Sequence, residues 1–190
     1  MDRVVARLDG FIESLSNSSI PLLHGSGQGL FAYADTNPVT TFSLEGILFL
    51  ATNIPFVVAA QILRSSGSAG EGDLTLATLA PALDLSAVLS FLYHYAQLHF
   101  GPNRSEVKRF LLFDYVSAFF TCCIVTLEVF PFILNFSEHH QASLRVEPLL
   151  CGLLSVGALL QSWRFDKGRQ YLLYHGLWHV GSAYTCFLLK

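Results

Sequence analysis

A bundle of about five membrane-spanning α-helices is predicted by three observations. Apolar residues make up 52 % of the 190-residue chain. Charged residues make up only 13 %, about half the roughly 25 % usual in a soluble domain. The apolar residues also fall into five runs, each close to the length that crosses a bilayer. The mean hydropathy of +0.48 agrees. The formal net charge of -3 is weak, and no basic patch points to a nucleic-acid partner.

Taken in order, residues 1–41 form an N-terminal segment and residues 42–190 the transmembrane domain. Val4, Val5, Leu8, Phe11, Ile12 and Leu15 stand at helical spacing, so residues 1–16 fit an interfacial amphipathic helix or a loose tail. Asp2, Arg3, Arg7, Asp9 and Glu13 interrupt this stretch and leave no apolar core for a secretory signal. Residues 17–42 are rich in Ser, Gly, Asn and Thr and read as loop. Their GSGQG at 25–29 follows no strand and lacks the lysine of a phosphate loop.

The first run, Phe42 to Leu63, would extend about 33 Å as one helix, enough to cross a bilayer. A polar, Gly-rich break at 64–73 separates it from the second run, Leu74–Leu98, whose Pro81 is a candidate for the first helical turn. The third stretch, Phe110–Phe136, is too short for two crossings, which need about 40 residues, and reads as one long or kinked helix. The fourth run is Ala142–Trp163 and the fifth Tyr171–Leu189. Cys122, Cys123, Cys151 and Cys186 form no CxxC pair and read as small membrane-helix residues.

Five crossings put the Lys and Arg residues on two sides. Arg3, Arg7, Arg104, Lys108, Arg109, Arg164, Lys167 and Arg169 share the side of the N-terminus, against Arg64, Arg145 and Lys190 on the other. The positive-inside rule then puts the N-terminus in the cytosol of a plasma-membrane or endomembrane protein. Three N-x-S sequons test this: Asn17 and Asn103 should carry no glycan, while Asn135 lies on the outer side.

The same topology gathers the polar residues of the runs. Ser90 and His94 are four apart near the end of the second run and share a helical face. Asp114 lies near the start of the third. His175 and His179, in YHGLWHV, share a face near the start of the fifth. All five reach the N-terminal side at one level. Three imidazoles suit a tetrahedral Zn²⁺ site whose fourth position takes water, and zinc lowers the pKa of that water to about 7. A carboxylate beside it can accept a proton, and a hydroxyl can support an oxyanion. The plainer reading of each His, a hydrogen-bonded packing residue, weakens when HxxxH, SxxxH and Asp114 meet on one side.

Other polar residues have plainer expectations. His139 and His140 are adjacent and sit in a polar loop, and His99 fits an interface position. Asp84 is deep in the second run or near its start, Asn53 and Gln61 are suited to bonds across helices, and Glu128 needs a partner at the far end of the third run. Tyr93, Tyr95, Tyr174, Trp163 and Trp178 fit either an interfacial belt or a pocket wall.

SFLYH at 90–94, FDY at 113–115 and HGLWH at 175–179 resemble the three signature motifs of the CREST superfamily. That group includes alkaline ceramidases, progestin and adiponectin receptors, Per1-type proteins and the myomaker-like family. TNIPF at 52–56 is similar to the Asn-bearing first helix of several members, and LYHYAQ and GLWHV resemble the myomaker-like branch most. The resemblance implies His94, His175 and His179 as zinc ligands, Asp114 as the residue that holds or deprotonates the zinc water, and Ser90 as its assistant. It also implies hydrolysis of a lipid amide or ester in a ceramide, phospholipid or GPI anchor, or else a receptor or fusion role with structural zinc. The family has seven spanning helices. Loss of two between the third and fifth runs would preserve the parity that brings the motifs together.

Overall fold

In a computed structural model the described residues are 5–7, 9–11, 14, 36, 39–67, 74–101, 104–134, 146–165 and 168–189. Most of them are helical, and no strand is among them. Six helices follow in order: α1 Leu44–Ala51, α2 Ile54–Gly67, α3 Leu74–Phe100, α4 Ser105–Leu134, α5 Val146–Arg164 and α6 Gly168–Phe187. Asn17, the GSGQG stretch, Asn103, Asn135, His139, His140, Arg145, Lys167, Lys190 and the side chain of Glu128 lie outside the described residues.

The first apolar run is two helices rather than one. Pro55 has no N–H to give the carbonyl of Ala51, so the ladder of α1 cannot continue through it, while as the second residue of α2 it stands in a first turn where no such bond is needed. The chain turns at Thr52 and Asn53, where the freed carbonyls find new donors. Thr52 donates its N–H and its Oγ1–H to the carbonyl of Phe49, the latter at 2.6 Å. Asn53 donates its amide Nδ2 to the carbonyl of Leu50 at 3.2 Å, not across to another helix as expected. Ser43 caps the start of α1, its Oγ accepting from the N–H of Gly46 at 3.1 Å.

Pro81 does not open the second helix, which begins a full two turns earlier at Leu74. The described part of the third stretch, up to Leu134, is one helix, extended back to Ser105. Gly101 ends α3 in the left-handed conformation, φ 75°, and its N–H returns to the carbonyl of Gln97 at 3.1 Å.

The helices pack in the spatial order α4, α3, α2, α6, α5, with α1 set against α3 and α6. The order does not close: among the described residues α4 and α5 make no extensive contact. Leu79, Leu83, Ala60, Ala59 and Ala183 form the main core where α2, α3 and α6 meet. Tyr93, Ala96, Val107 and Leu111 knit α3 to α4. Gly181 lets α6 approach α5 closely, since a Cβ there would stand 2.3 Å from Ser155 Oγ.

The outside is as apolar as the inside. Phe119, Leu127, Leu153 and Leu154 are among many large exposed hydrophobics, a surface unlike that of a soluble monomer. Among the described residues, three stretches are long and apolar enough to cross a membrane: Leu44–Ser65, Ser105–Leu127 and Val146–Arg164. This surface and these stretches fit a membrane protein. Asp84, partly exposed within α3, pairs with Arg64 of α2. Near the N-terminus the described residues 5–7, 9–11 and 14 are helical. Asp9 there accepts two hydrogen bonds from the Arg109 guanidinium, at 2.9 and 2.8 Å.

Candidate metal centre

His94 comes from α3, and His175 and His179 come from adjacent turns of α6. The i, i+4 spacing puts the last two on one face, and that face turns inward. All three are buried, at 0 %, 6 % and 3 % exposure. One nitrogen of each lies within 4.8 Å of the others, so the trio could hold a metal ion. The rings meet tilted or edge-on, with centroids 4.8 to 5.1 Å apart. Phe49 of α1 closes one side, 4.5 Å from the His94 ring and stacked at 6.2 Å on His179. Gly176 sits between the two α6 histidines, where a Cβ would stand 3.2 Å from the methyl of Thr52. Its lack of a side chain lets the turn at Thr52 reach the site.

The donor chemistry fits a metal. His94 Nδ1 is 3.1 Å from Gln97 Oε1, while His94 Nε2 is buried without a hydrogen-bond partner. An orphaned imidazole nitrogen in a dry interior costs free energy unless something binds it. His179 Nδ1 is 3.0 Å from Thr52 Oγ1, and its Nε2 is 3.3 Å from Ser90 Oγ. His175 Nδ1 is 3.3 Å from Ser162 Oγ. Ser90 also interacts with the side chain of Asp114, which is buried at 8 % exposure. All five expected residues therefore meet: the imidazoles directly, and Asp114 through Ser90. Asp114 is not one of the group that could hold a metal ion.

A cavity of about 460 Å³ leads to this cluster. Ser90, Asp114, His175 and His179 line its polar end, and the remaining wall is mostly apolar, with Trp163 and Trp178 among it. Both tryptophans are thus wall residues. The cavity lies where α4 and α5 stand apart, and its sides come from those two helices.

Several candidates lie elsewhere. His99 is exposed and stacks on Tyr95 at 5.5 Å, beyond the site. Gln61 is exposed on α2, and Asn53 Oδ1 is buried at the helix break without a partner. The four cysteines are free. Residue-type reasoning passed over Phe49, Thr52, Gln97 and Ser162. Only Gln97 carried a signal, standing three positions after His94 on the same face. No protein-family model, curated protein or solved structure matches the chain.

Proposed function

We propose that the chain is a multi-pass membrane protein that hydrolyses an amide or ester bond of a membrane lipid with the help of zinc. The observation that carries this reading is the orphaned His94 Nε2 within a buried three-imidazole cluster, at the end of an apolar cavity that also presents Asp114 and Ser90. Five crossings and a cytosolic N-terminus follow from the apolar runs and from the eight Lys and Arg residues against three. The motif resemblance to the CREST superfamily points the same way.

His94, His175 and His179 would hold the ion. Zinc with three imidazoles supplies a water of lowered pKa and polarises a carbonyl. Asp114 takes the proton of the attacking water and returns it to the leaving group. Ser90 orients that carboxylate and donates to the developing oxyanion. The apolar wall accepts hydrocarbon, and the gap between α4 and α5 opens toward the surrounding lipid. A ceramide-like or phospholipid-like molecule combines the two features required, a long chain and a carbonyl at its polar end.

Zinc content of detergent-purified protein is the first test, wild type beside His94→Ala and His175→Ala/His179→Ala. About one zinc per chain, lost in both variants, is expected. No zinc in folded wild type would end the reading. Fluorescent ceramide and phospholipid panels then test turnover. A zinc-replete protein without turnover would instead be a receptor or fusion-type protein with structural zinc.

A further inference from the structure

The three Nδ1 contacts share one property. A neutral imidazole carries a proton on one nitrogen and a lone pair on the other, so each contact has a direction set by the partner. Thr52 Oγ1 already gives its proton to the carbonyl of Phe49 at 2.6 Å. Ser162 Oγ gives its own to the carbonyl of Leu159 at 2.7 Å. Gln97 bonds the Tyr171 hydroxyl, which takes up the amide N–H and leaves the carbonyl oxygen for His94. In all three pairs the partner can only accept, and the imidazole must donate from Nδ1. Every ring then keeps its lone pair on Nε2. His94 Nε2 is the buried atom without a partner, and His179 Nε2 lies 3.3 Å from the hydroxyl of Ser90, which can turn its proton to it or to Asp114.

The partners come from three different elements: the turn between α1 and α2, the last turns of α3, and the end of α5. We propose that Thr52, Gln97 and Ser162 are positioning residues that lock all three imidazoles in the Nδ1–H form, so that Nε2 lone pairs alone face the metal position. This rests on the metal reading of the histidine cluster. It gives the turn at Thr52 a task, since the hydroxyl there both bonds the Phe49 carbonyl and reaches His179 Nδ1 at 3.0 Å. It also ties α5, which provides no ligand, to the centre. Partners of this kind orient a metal-bound imidazole and raise its basicity.

The experiment uses full-length protein with ¹⁵N-labelled histidine in detergent, stripped of metal, at neutral pH. Long-range ¹H–¹⁵N correlation should find Nδ1–H on His94, His175 and His179. Affinity for Zn²⁺ alone, by competition with a chelator, should fall about 10- to 100-fold in each of Thr52→Val, Ser162→Ala and Gln97→Leu. Thr52→Ser and Gln97→Glu keep an acceptor and should restore it, which separates positioning from a general loss of folding. Unchanged affinity in all three variants, or Nε2–H on two of the rings, would overturn the proposal. Three Nδ1–H rings in a wild type that binds no Zn²⁺ would uphold the lock and remove the metal reading alone.

Discussion

Helices α3 and α6 hold all three imidazoles, yet neither is among the stretches apolar enough to cross a membrane alone. Their neighbours α4 and α5 contain two of those stretches, Ser105–Leu127 and Val146–Arg164. The polar content of α3 and α6 is inward: Ser86, Ser90, His94 and Gln97 on one, His175, His179 and Thr185 on the other, all buried. The apolar content of α4 and α5 is outward, with Phe119 at 72 % and Leu154 at 75 % exposure. The comparison teaches that hydropathy follows what a helix must expose. A helix that gives its inner face to a site loses mean hydropathy while its outer face stays apolar, as Phe91 on α3 and Leu173 on α6 show.

Asp114→Asn should break the comparison hardest, because Asp114 is the proposed proton-handling group and stands on α4, outside the two helices that hold the imidazoles. Turnover should fall about 10²- to 10⁴-fold while zinc content stays at wild-type level. Activity that survives the change intact would exclude Asp114 from proton transfer. Next in size, Phe119→Lys puts a charge on the outer face of α4 and should cost about 3 kcal/mol of insertion, read as loss of alkali-resistant membrane protein. Phe119→Leu should be neutral, and tolerance of the lysine would mean that this face does not meet lipid.

Gly181→Ala should cost about 1–3 kcal/mol by overpacking against Ser155, measured as a lower midpoint of thermal unfolding in detergent. Adding Ser155→Ala removes the nearer atom, and part of the loss should return. The smallest effect belongs to the Asp9–Arg109 pair outside the site. The guanidinium holds the Asp9 carboxyl below its ordinary value of 3.8. A carboxyl with a lowered folded-state pKa stabilises above its unfolded value, and that contribution is lost as pH falls through the folded one. Asp9→Asn should therefore shift the thermal midpoint slightly at neutral pH and leave it unchanged at pH values below both. An equal shift at both would trace the effect to something other than the ion pair.

The all-helical fold was legible because long apolar runs with apolar outer faces leave little else to form. The meeting of Ser90, His94, Asp114, His175 and His179 was legible because successive long helices of a bundle alternate direction, so parity fixes which ends share a side. The break at Thr52 was not, although Pro55 stood in plain view: Phe42 to Leu63 already matched one crossing, and proline near a helix start is ordinary. The start of α3 could be read at Leu74 or at Pro81, because proline suits a first turn as well as an interior, and the helix begins at Leu74. Gln97, Ser162 and Thr52 were hidden by commonness. Small polar residues usually bond their own helix, as Thr126 and Thr185 do here. Only packing shows which of them turn toward an imidazole.

The open order of the helices has a consequence for how the chain holds together. Its α5 and α6 end the arrangement opposite α3 and α4, and among the described cysteines no disulfide joins them. His94 and His175 enclose a loop of about 80 residues, long enough for a cross-link to remove much of the entropy of the unfolded chain. The ion proposed above would therefore also be a staple from α3 to α6. Such a chain would gain resistance to unfolding whenever metal is supplied.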